Sequence, residues 1–269
     1  MNKQIYPPTF IVEEKDFRNA WAKQVRNCIR DGTVIVANNK SEHPVNTKDI
    51  NSIIILTGDA INQIVNKQLH KQFPSKEQHL EEYIKTFDYE YLMKYLQLPK
   101  DDIKRFKYLY IERLAHYNDG SVNQIGRLHD KLRADGINRQ TQVITWNVEK
   151  DFPIVTPEGH DPPCLQRIWI RVLQEPHGAS KHDMNVDNQR LMATKGKVEI
   201  HLMWRSRDLY GAWMSNIVGI IYMIMKYVLK DDYDIVKIVD FCNSLHIYES
   251  DWEYAKQIKQ IAISPMVMR

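Results

Sequence analysis

Residues 215–229 restrict the fold of this chain more than any other segment. They are apolar nearly all round at helical spacing, and a helix without a polar face has to be buried. The most apolar stretch, residues 212–225, is too short to cross a bilayer, which takes roughly 20 residues. The sequence therefore predicts a soluble protein with this helix in its core.

Strands and further helices surround that helix in the sequence. Residues 165–173 and 198–204 alternate between apolar and polar side chains, the pattern of half-buried strands. Shorter apolar runs predict strands at residues 52–56, 141–146 and 235–241, and helical spacing predicts helices at 16–30, 76–113 with a break at Pro99, 123–133 and 251–261. With strands concentrated in the second half, this order predicts one α/β (α+β) domain over residues 1–269, made of helices layered on a sheet. Residues 174–196 are polar and are expected to form a long loop.

Charge and cysteine content narrow the class of protein. A net charge of +3 does not demand a polyanionic partner such as a nucleic acid. The three cysteines, Cys28, Cys164 and Cys242, are odd in number and far apart, which argues against a disulfide framework and a zinc site. The first eight residues lack the apolar core of a signal peptide. We expect a cytoplasmic protein without a nucleic-acid, membrane or metal partner.

Two local motifs contain side chains suited to catalysis and anion binding. Two prolines lead to Cys164 at the start of a predicted strand, where the thiol is either a nucleophile or an inert core group. Arg205 and Ser206 follow another predicted strand, and both can donate hydrogen bonds to phosphate oxygens. The alternative is a solvated turn with an Arg–Asp pair.

Two more polar motifs lie in apolar surroundings. Asn216 begins the apolar helix, where an unpartnered carboxamide costs about 1–3 kcal/mol. It can cap the helix, or it can pair with a neighbouring acceptor and donor such as O4 and N3–H of uracil. His246 and Tyr248 follow the last predicted strand and face the same side of an extended chain. They can hold sugar hydroxyls or simply pack on the sheet.

The order and spacing of these motifs are specific. Pro-Cys, Arg-Ser-x-Asp, an asparagine eleven residues beyond that arginine, His-x-Tyr, and an upstream strand that ends in Trp146-Asn147 together resemble the nucleotide-binding core of thymidylate synthases and pyrimidine nucleotide hydroxymethylases. The resemblance covers residues 108–255 and is closest to the divergent archaeal-type thymidylate synthases. Residues 1–107 match poorly.

The resemblance implies a thymidylate synthase-like fold and a sheet-to-sheet homodimer. The implied reaction is reductive methylation of the pyrimidine nucleoside monophosphate dUMP to dTMP, with 5,10-methylenetetrahydrofolate or a related pterin as the one-carbon carrier. Thiolate addition at C6 would activate C5. The alternative is a C5-hydroxymethylase for (d)UMP or (d)CMP, in which water replaces hydride, and a third possibility is a binding protein without catalysis.

The resemblance also implies roles for individual residues. Cys164 would be the nucleophile, Tyr110 would help to remove the C5 proton through water, and Asp208 would lie near the cofactor ring. Arg205 and Ser206 would bind the 5′-phosphate of the nucleotide, and Arg139 would reach the phosphate in the partner subunit's site. Asn216 would bind the uracil edge, and His246 and Tyr248 would bind the sugar 3′-hydroxyl.

The chain departs from the family pattern at several points. Leu165 follows the nucleophile where the family commonly has histidine, and Gln140 replaces the second residue of an arginine pair. The family's glutamate that organises proton-transfer water has no clear counterpart; candidates are Glu81, Glu82, Glu90 and Glu112. The segment after Tyr248 is shorter than the one that closes over folate in bacterial and eukaryotic enzymes. The loop 174–196, with His177, His182 and Asp183, is expected to be a lid or subunit contact rather than a metal site.

Overall fold

A computed structural model describes residues 5–37, 44–75, 77–99, 102, 106–157, 160–176 and 195–260. In these residues eight strands form one mixed sheet: β1 (Thr9–Glu14), β2 (Thr33–Ala37), β3 (Val45–Thr57), β4 (Gln142–Ile144), β5 (Leu165–Gln174), β6 (Gly196–Trp204), β7 (Arg207–Asp208) and β8 (Tyr233–Tyr248). The order is β1-β3-β8-β6-β5-β4, with β2 beside β3 and β7 beside β8. The pairs β1/β3, β6/β8 and β7/β8 are parallel and the others antiparallel.

The helices of the described part are α1 (Phe17–Asp31), α2 (Asp59–Val65), α3 (Glu77–Lys85), α4 (Tyr89–Leu96), α5 (Tyr110–Ala115), α6 (Gln124–Asp135), α7 (Val148–Asp151), α8 (Trp213–Ile224) and α9 (Trp252–Ala255). A π-helical turn, Met225–Leu229, continues α8, and a 3-10 turn, Glu249–Asp251, precedes α9. The mixed α/β architecture is as predicted from the sequence. Five of the eight described strands, β4 to β8, lie in the second half, as predicted. The sequence does not predict β1 and β2, and β3, of which it predicts only residues 52–56, lies beside β8 near the middle of the sheet. Where residues 76–113, predicted as helical with a break at Pro99, are described, they contribute to three short helices, α3, α4 and α5.

Helix α1 follows from its local sequence. The Asp16 side chain accepts hydrogen bonds from the backbone N–H groups of residues 18 and 19, and Gly32 ends the helix with its N–H bonded to the Cys28 carbonyl. Trp21 is fully buried, and its indole N–H donates to the Leu209 carbonyl at 2.8 Å. This bond ties α1 to the loop that follows β7, where several of the predicted site residues lie.

Helix α8 is the buried centre of the helical layer, as its all-round apolar pattern predicts. Ten of its residues are buried, among them Gly219, whose missing side chain lets the Phe87 ring pack against the helix backbone; an added Cβ would collide with that ring. None of the helices in the described ranges is long and apolar enough to cross a membrane.

The face of the sheet opposite the core carries a second apolar row. Strand register places Ile11, Ile53, Phe241, Met203, Arg167 and Ile144 side by side across six strands. Ile11 is 67% exposed and Ile144 is 39% exposed. Residues of the other parity, such as Ile54 and Leu202, are buried in the core. The sheet therefore has one face covered by helices and one open face, on which this row is apolar except for Arg167.

Candidate active site

Cys164 lies where the chain enters β5. Its Sγ is 3.5 Å from the Ser206 hydroxyl, and its backbone N–H donates to the Tyr108 hydroxyl at 3.4 Å. Cys164 is partly exposed, whereas Cys28 and Cys242 are buried, and burial raises the pKa of both of those thiols above the usual value. Cys164 is therefore the thiol placed to react.

Arg205 holds the approach to this cysteine in place. Its guanidinium donates to the Pro162 carbonyl at 2.5 Å, the Pro163 carbonyl at 3.2 Å and the Ser206 hydroxyl at 3.2 Å, and its backbone N–H bonds the Cys164 carbonyl at 2.9 Å. The solvated Arg–Asp turn considered as an alternative is thus not what forms. A cation and a hydroxyl lie together beside the thiol, and both can bind phosphate oxygens.

A wall of phenols borders the thiol. The rings of Tyr108 and Tyr110 are 5.5 Å apart, and the Tyr110 ring also contacts Phe87 at 6.2 Å and Trp204 at 5.9 Å. Burial, with the nearby Cys164 charge, raises the pKa of Tyr108 to about 12, and burial likewise raises the pKa of Tyr110. Sequence reasoning named Tyr110 alone, but Tyr108 is the phenol that accepts from the Cys164 backbone N–H. The two-residue spacing of the pair was the available signal.

Asn216 lies in the first turn of α8 with both ends of its carboxamide engaged. Its Oδ1 accepts from Arg207 Nε at 3.2 Å, and its Nδ2 donates to the Tyr83 hydroxyl at 2.7 Å. The N-cap position of α8 is Ala212, so Asn216 is not a helix cap. Tyr83 also lies close enough to Cys164 for their charges to interact. Tyr83 is therefore a partner of the amide in the neighbourhood of the thiol, and nothing in the sequence around residue 83 marks its bond to Asn216.

A buried ion pair lies beneath Asn216. The side chains of Arg207 and Asp240 are each 1% exposed and are joined at 2.8 Å and 3.0 Å. Asp240 also accepts the indole N–H groups of Trp204 at 2.7 Å and Trp213 at 2.8 Å. Sequence reasoning missed this pair. Its one signal was a carboxylate at a core-facing position of a predicted strand.

Asp208, His246 and Tyr248 meet where β7 runs beside β8. Asp208 is opposite His246 in the strand register, and the rings of His246 and Tyr248 are 5.1 Å apart. Asp208 Oδ1 accepts from the backbone N–H groups of Tyr210 at 2.9 Å and Gly211 at 3.0 Å. Burial raises the pKa of Asp208, although those two N–H groups and His246 act in the opposite direction. Burial, with the charges of Asp208 and Cys164, also raises the pKa of Tyr248.

Arg139 is not part of this group within one chain. It is exposed, and its carbonyl accepts from the Trp169 indole at 3.1 Å. Trp169 lies five positions beyond Cys164, about 16 Å along an extended strand. The loop predicted at 174–196 is described only at its two ends, where Gln174 belongs to β5 and Gly196 to β6. Residues 177–194, which include His177, His182 and Asp183, lie outside the described residues.

Three of the four candidate glutamates have local partners. Glu81 pairs with Lys67 and Glu90 with Lys94, each at 2.7 Å, while Glu112 accepts from the backbone N–H at the start of α5. Glu82 is exposed on α3. Across the described ranges, no three His, Cys, Asp or Glu side chains come together as a metal site would require.

The chain is similar in sequence to a known family and to several known proteins. The thymidylate synthase family model matches residues 60–266. Three archaeal proteins, each named "putative thymidylate synthase", are similar to this chain. The protein of Methanothermobacter marburgensis is 29% identical over 163 residues, which are 60% of this chain and 60% of that protein. The Methanocaldococcus jannaschii protein is 24% identical over 250 residues (91% and 94%), and the Methanosarcina mazei protein 22% over 248 residues (92% and 94%).

Proposed function

The chain belongs to the thymidylate synthase family, and from that premise we propose that it converts dUMP to dTMP by methylation at C5. The one-carbon unit would come from 5,10-methylenetetrahydrofolate or a related pterin. The observation that carries the proposal is the partly exposed Cys164 thiol, which lies beside Ser206 and Arg205 and close enough to Tyr83, the partner of Asn216, for their charges to interact.

The proposed chemistry begins at Cys164. Its thiolate adds to C6 of the uracil, and negative charge then develops towards O4, so that C5 becomes nucleophilic. An amide N–H of Asn216 that faces O4 would stabilise this charge. Because burial holds the pKa of Tyr108 at about 12, its hydroxyl stays protonated at neutral pH. It can therefore hold, with Tyr110, a water that accepts the C5 proton.

The remaining assignments follow the chemistry of the groups present. Arg205 and Ser206 would bind the 5′-phosphate, as a guanidinium and a hydroxyl can. His246 and Tyr248 would bind the 3′-hydroxyl from the neighbouring strand. Nucleotide and thiol are then held by the ends of adjacent strands in one sheet, which fixes the distance between C6 and Sγ.

The residues around Asp208 fit a pterin. The backbone N–H groups of Tyr210 and Gly211 both donate to Asp208 Oδ1, which leaves Oδ2 to accept from a ligand. A Cβ on Gly211 would lie 2.6 Å from that Oδ2, so the glycine keeps the oxygen accessible. Asp208 and Gly211 would hold the ring. When bound, the carrier would supply the one-carbon unit and the hydride.

The open sheet face supports a homodimer. The row from Ile11 to Ile144 offers six adjacent side chains, five of them apolar, and exposed apolar rows of this kind mark interfaces. A second copy packed on this face would bring its Arg139 towards the first copy's phosphate site. We expect a two-fold symmetric dimer, to be measured by sedimentation, with Phe241→Asp producing monomers.

A product assay tests the reaction. dUMP and dCMP are each incubated with the protein and 5,10-methylenetetrahydrofolate, products are identified by mass spectrometry, and dihydrofolate is followed by absorbance. We expect dTMP and dihydrofolate from dUMP, and neither from the Cys164→Ser variant. A hydroxymethyl nucleotide without dihydrofolate would refute methylation and establish the hydroxymethylase reaction. Turnover of dCMP but not dUMP would refute the uracil assignment.

Subunit mixing tests the role of Arg139. The Cys164→Ala and Arg139→Ala variants are each expected to be inactive or nearly so. After exchange of subunits, half of the dimers would be mixed and each would contain one complete site, so roughly a quarter of wild-type activity should return. No recovery from a mixture shown to exchange subunits would place Arg139 outside the partner's site.

A further inference from the structure

Arg207, the variable residue of the Arg-Ser-x-Asp motif, lies in the core behind the base-reading amide. Its guanidinium donates from Nη1 to both Asp240 oxygens, from Nη2 to the Trp213 carbonyl at 2.9 Å, and from Nε to Asn216 Oδ1 at 3.2 Å. The plane of the group also stacks on Trp204, with 3.8 Å between the guanidinium carbon and the ring centroid. The guanidinium is therefore held by hydrogen bonds at all three of its nitrogens and by stacking on one face.

The anchor of Arg207 is itself fixed. Asp240 lies on β8, and each of its oxygens receives one indole N–H and one arginine N–H. The indoles come from Trp204 at the end of β6 and Trp213 at the start of α8. Because three elements hold the carboxylate, the position of Arg207 is set by the core and not by a ligand.

This position decides which way the Asn216 amide points. An arginine N–H can only donate, so it has to face Oδ1 and would clash electrostatically with the Nδ2 amino group. Nδ2 then points to Tyr83, whose hydroxyl accepts from it at 2.7 Å. After these two bonds, Asn216 has one free lone pair on Oδ1 and one free N–H on Nδ2.

We propose that Arg207, held by Asp240, is a positioning residue that makes the site select uracil over cytosine by preventing the Asn216 amide from flipping. The proposal rests on the proposed function, in which Asn216 reads the base. The free acceptor and donor match N3–H and O4 of uracil. Cytosine has an acceptor at N3 and a donor at N4, and it would need the flipped amide, in which the Nδ2 hydrogens meet the Arg207 N–H.

The experiment is calorimetric titration of the full-length protein with dUMP and with dCMP, expressed as the ratio of the two dissociation constants. Arg207→Lys keeps a cation for Asp240 but removes the Nε–H that faces Asn216. We expect the preference for dUMP to fall about tenfold or more in this variant. Arg18→Lys, the same exchange in the ion pair with Asp16 at the start of α1, is the matched control and should keep the wild-type ratio.

A second variant covers the case in which Arg207→Lys does not fold. Arg207→Leu with Asp240→Leu removes both charges, so no buried ion is left alone, and it should lose the preference in the same way. A folded variant of either kind that binds both nucleotides more weakly by the same factor would reduce Arg207 to a structural role and overturn the inference. Wild-type protein that binds neither nucleotide, or prefers dCMP, would overturn the proposed function with it.

Discussion

Replacement of Asp240 by asparagine should destabilise the protein severely, although the two side chains have the same shape. All four hydrogen bonds to the carboxylate come from N–H donors: two indoles and Arg207, at 2.7–3.0 Å. Whichever oxygen becomes an amino group, it faces two of those donors, and the guanidinium keeps its charge without a counterion. Removal of one partner of a buried ion pair costs about 3–5 kcal/mol.

Urea unfolding followed by circular dichroism measures this cost. With a slope of about 3 kcal/mol/M for a domain of this size, the unfolding midpoint should fall by about 1 to 1.7 M. Wild type and variant are compared at one protein concentration, since association would shift both midpoints. The Arg207→Leu/Asp240→Leu variant is the control for charge: it also leaves both indole N–H groups unpartnered, but it leaves no lone charge, so a larger loss in Asp240→Asn measures the cost of the stranded guanidinium. A midpoint for Asp240→Asn within about 0.3 M of wild type would refute the reasoning.

Three further outcomes follow from burial and packing. Iodoacetamide should alkylate native protein at Cys164 well before the two buried cysteines, as read by peptide mass spectrometry; comparable rates at all three would contradict the proposed site. Asp208→Asn should be more stable than wild type at pH 7. Burial raises the pKa of Asp208 in the folded protein, so wild-type stability falls as the pH rises above about 3.9, the unfolded value. The advantage should vanish below that pH in unfolding curves, and an advantage that grew on acidification would show the opposite shift. Gly219→Ala should cost about 1–3 kcal/mol through its clash with Phe87, despite the better helix propensity of alanine. Phe87→Leu should relieve that cost, and an equal loss in both backgrounds would rule out the clash.

Helices and strands with clean periodicity could be predicted from the sequence. α8 and the strands β5 and β6 keep one pattern of apolar residues along most of their length, so their burial could be anticipated. β3 could be predicted only in its second half. Its first half buries Asp49, which accepts a hydrogen bond from Ser244, 195 positions along the chain. A polar residue whose hydrogen-bond partner is distant looks like a loop residue in a sequence, and this is why the sequence predicts a strand that begins several residues too late.

The residues of the candidate site also fall into two groups, those that the sequence reveals and those that it does not. Residues that lie within local motifs, such as Cys164 and Ser206, could be found because the motifs have characteristic spacing, and the structure brings these two within hydrogen-bonding distance. Tyr83 and Asp240 could not be found from local motifs. Tyr83 bonds Asn216, 133 positions away, and Asp240 bonds Arg207, 33 positions away. Arg207 would have been taken for a solvated charge. Only the packing of β8 beside β6 turns it towards the interior.

The place of β8 in the sheet bears on how the chain folds during synthesis. β8 is the last strand of the described part to leave the ribosome, yet it lies between β3, which is made long before it, and β6. Until it inserts, both of those strands present unpaired edges, which are prone to wrong pairing and aggregation. Pairings between β3 and β8 also join residues about 190 positions apart, and closing such long loops slows folding. The pocket that depends on His246 and Asp240 is therefore completed only when this final insertion occurs.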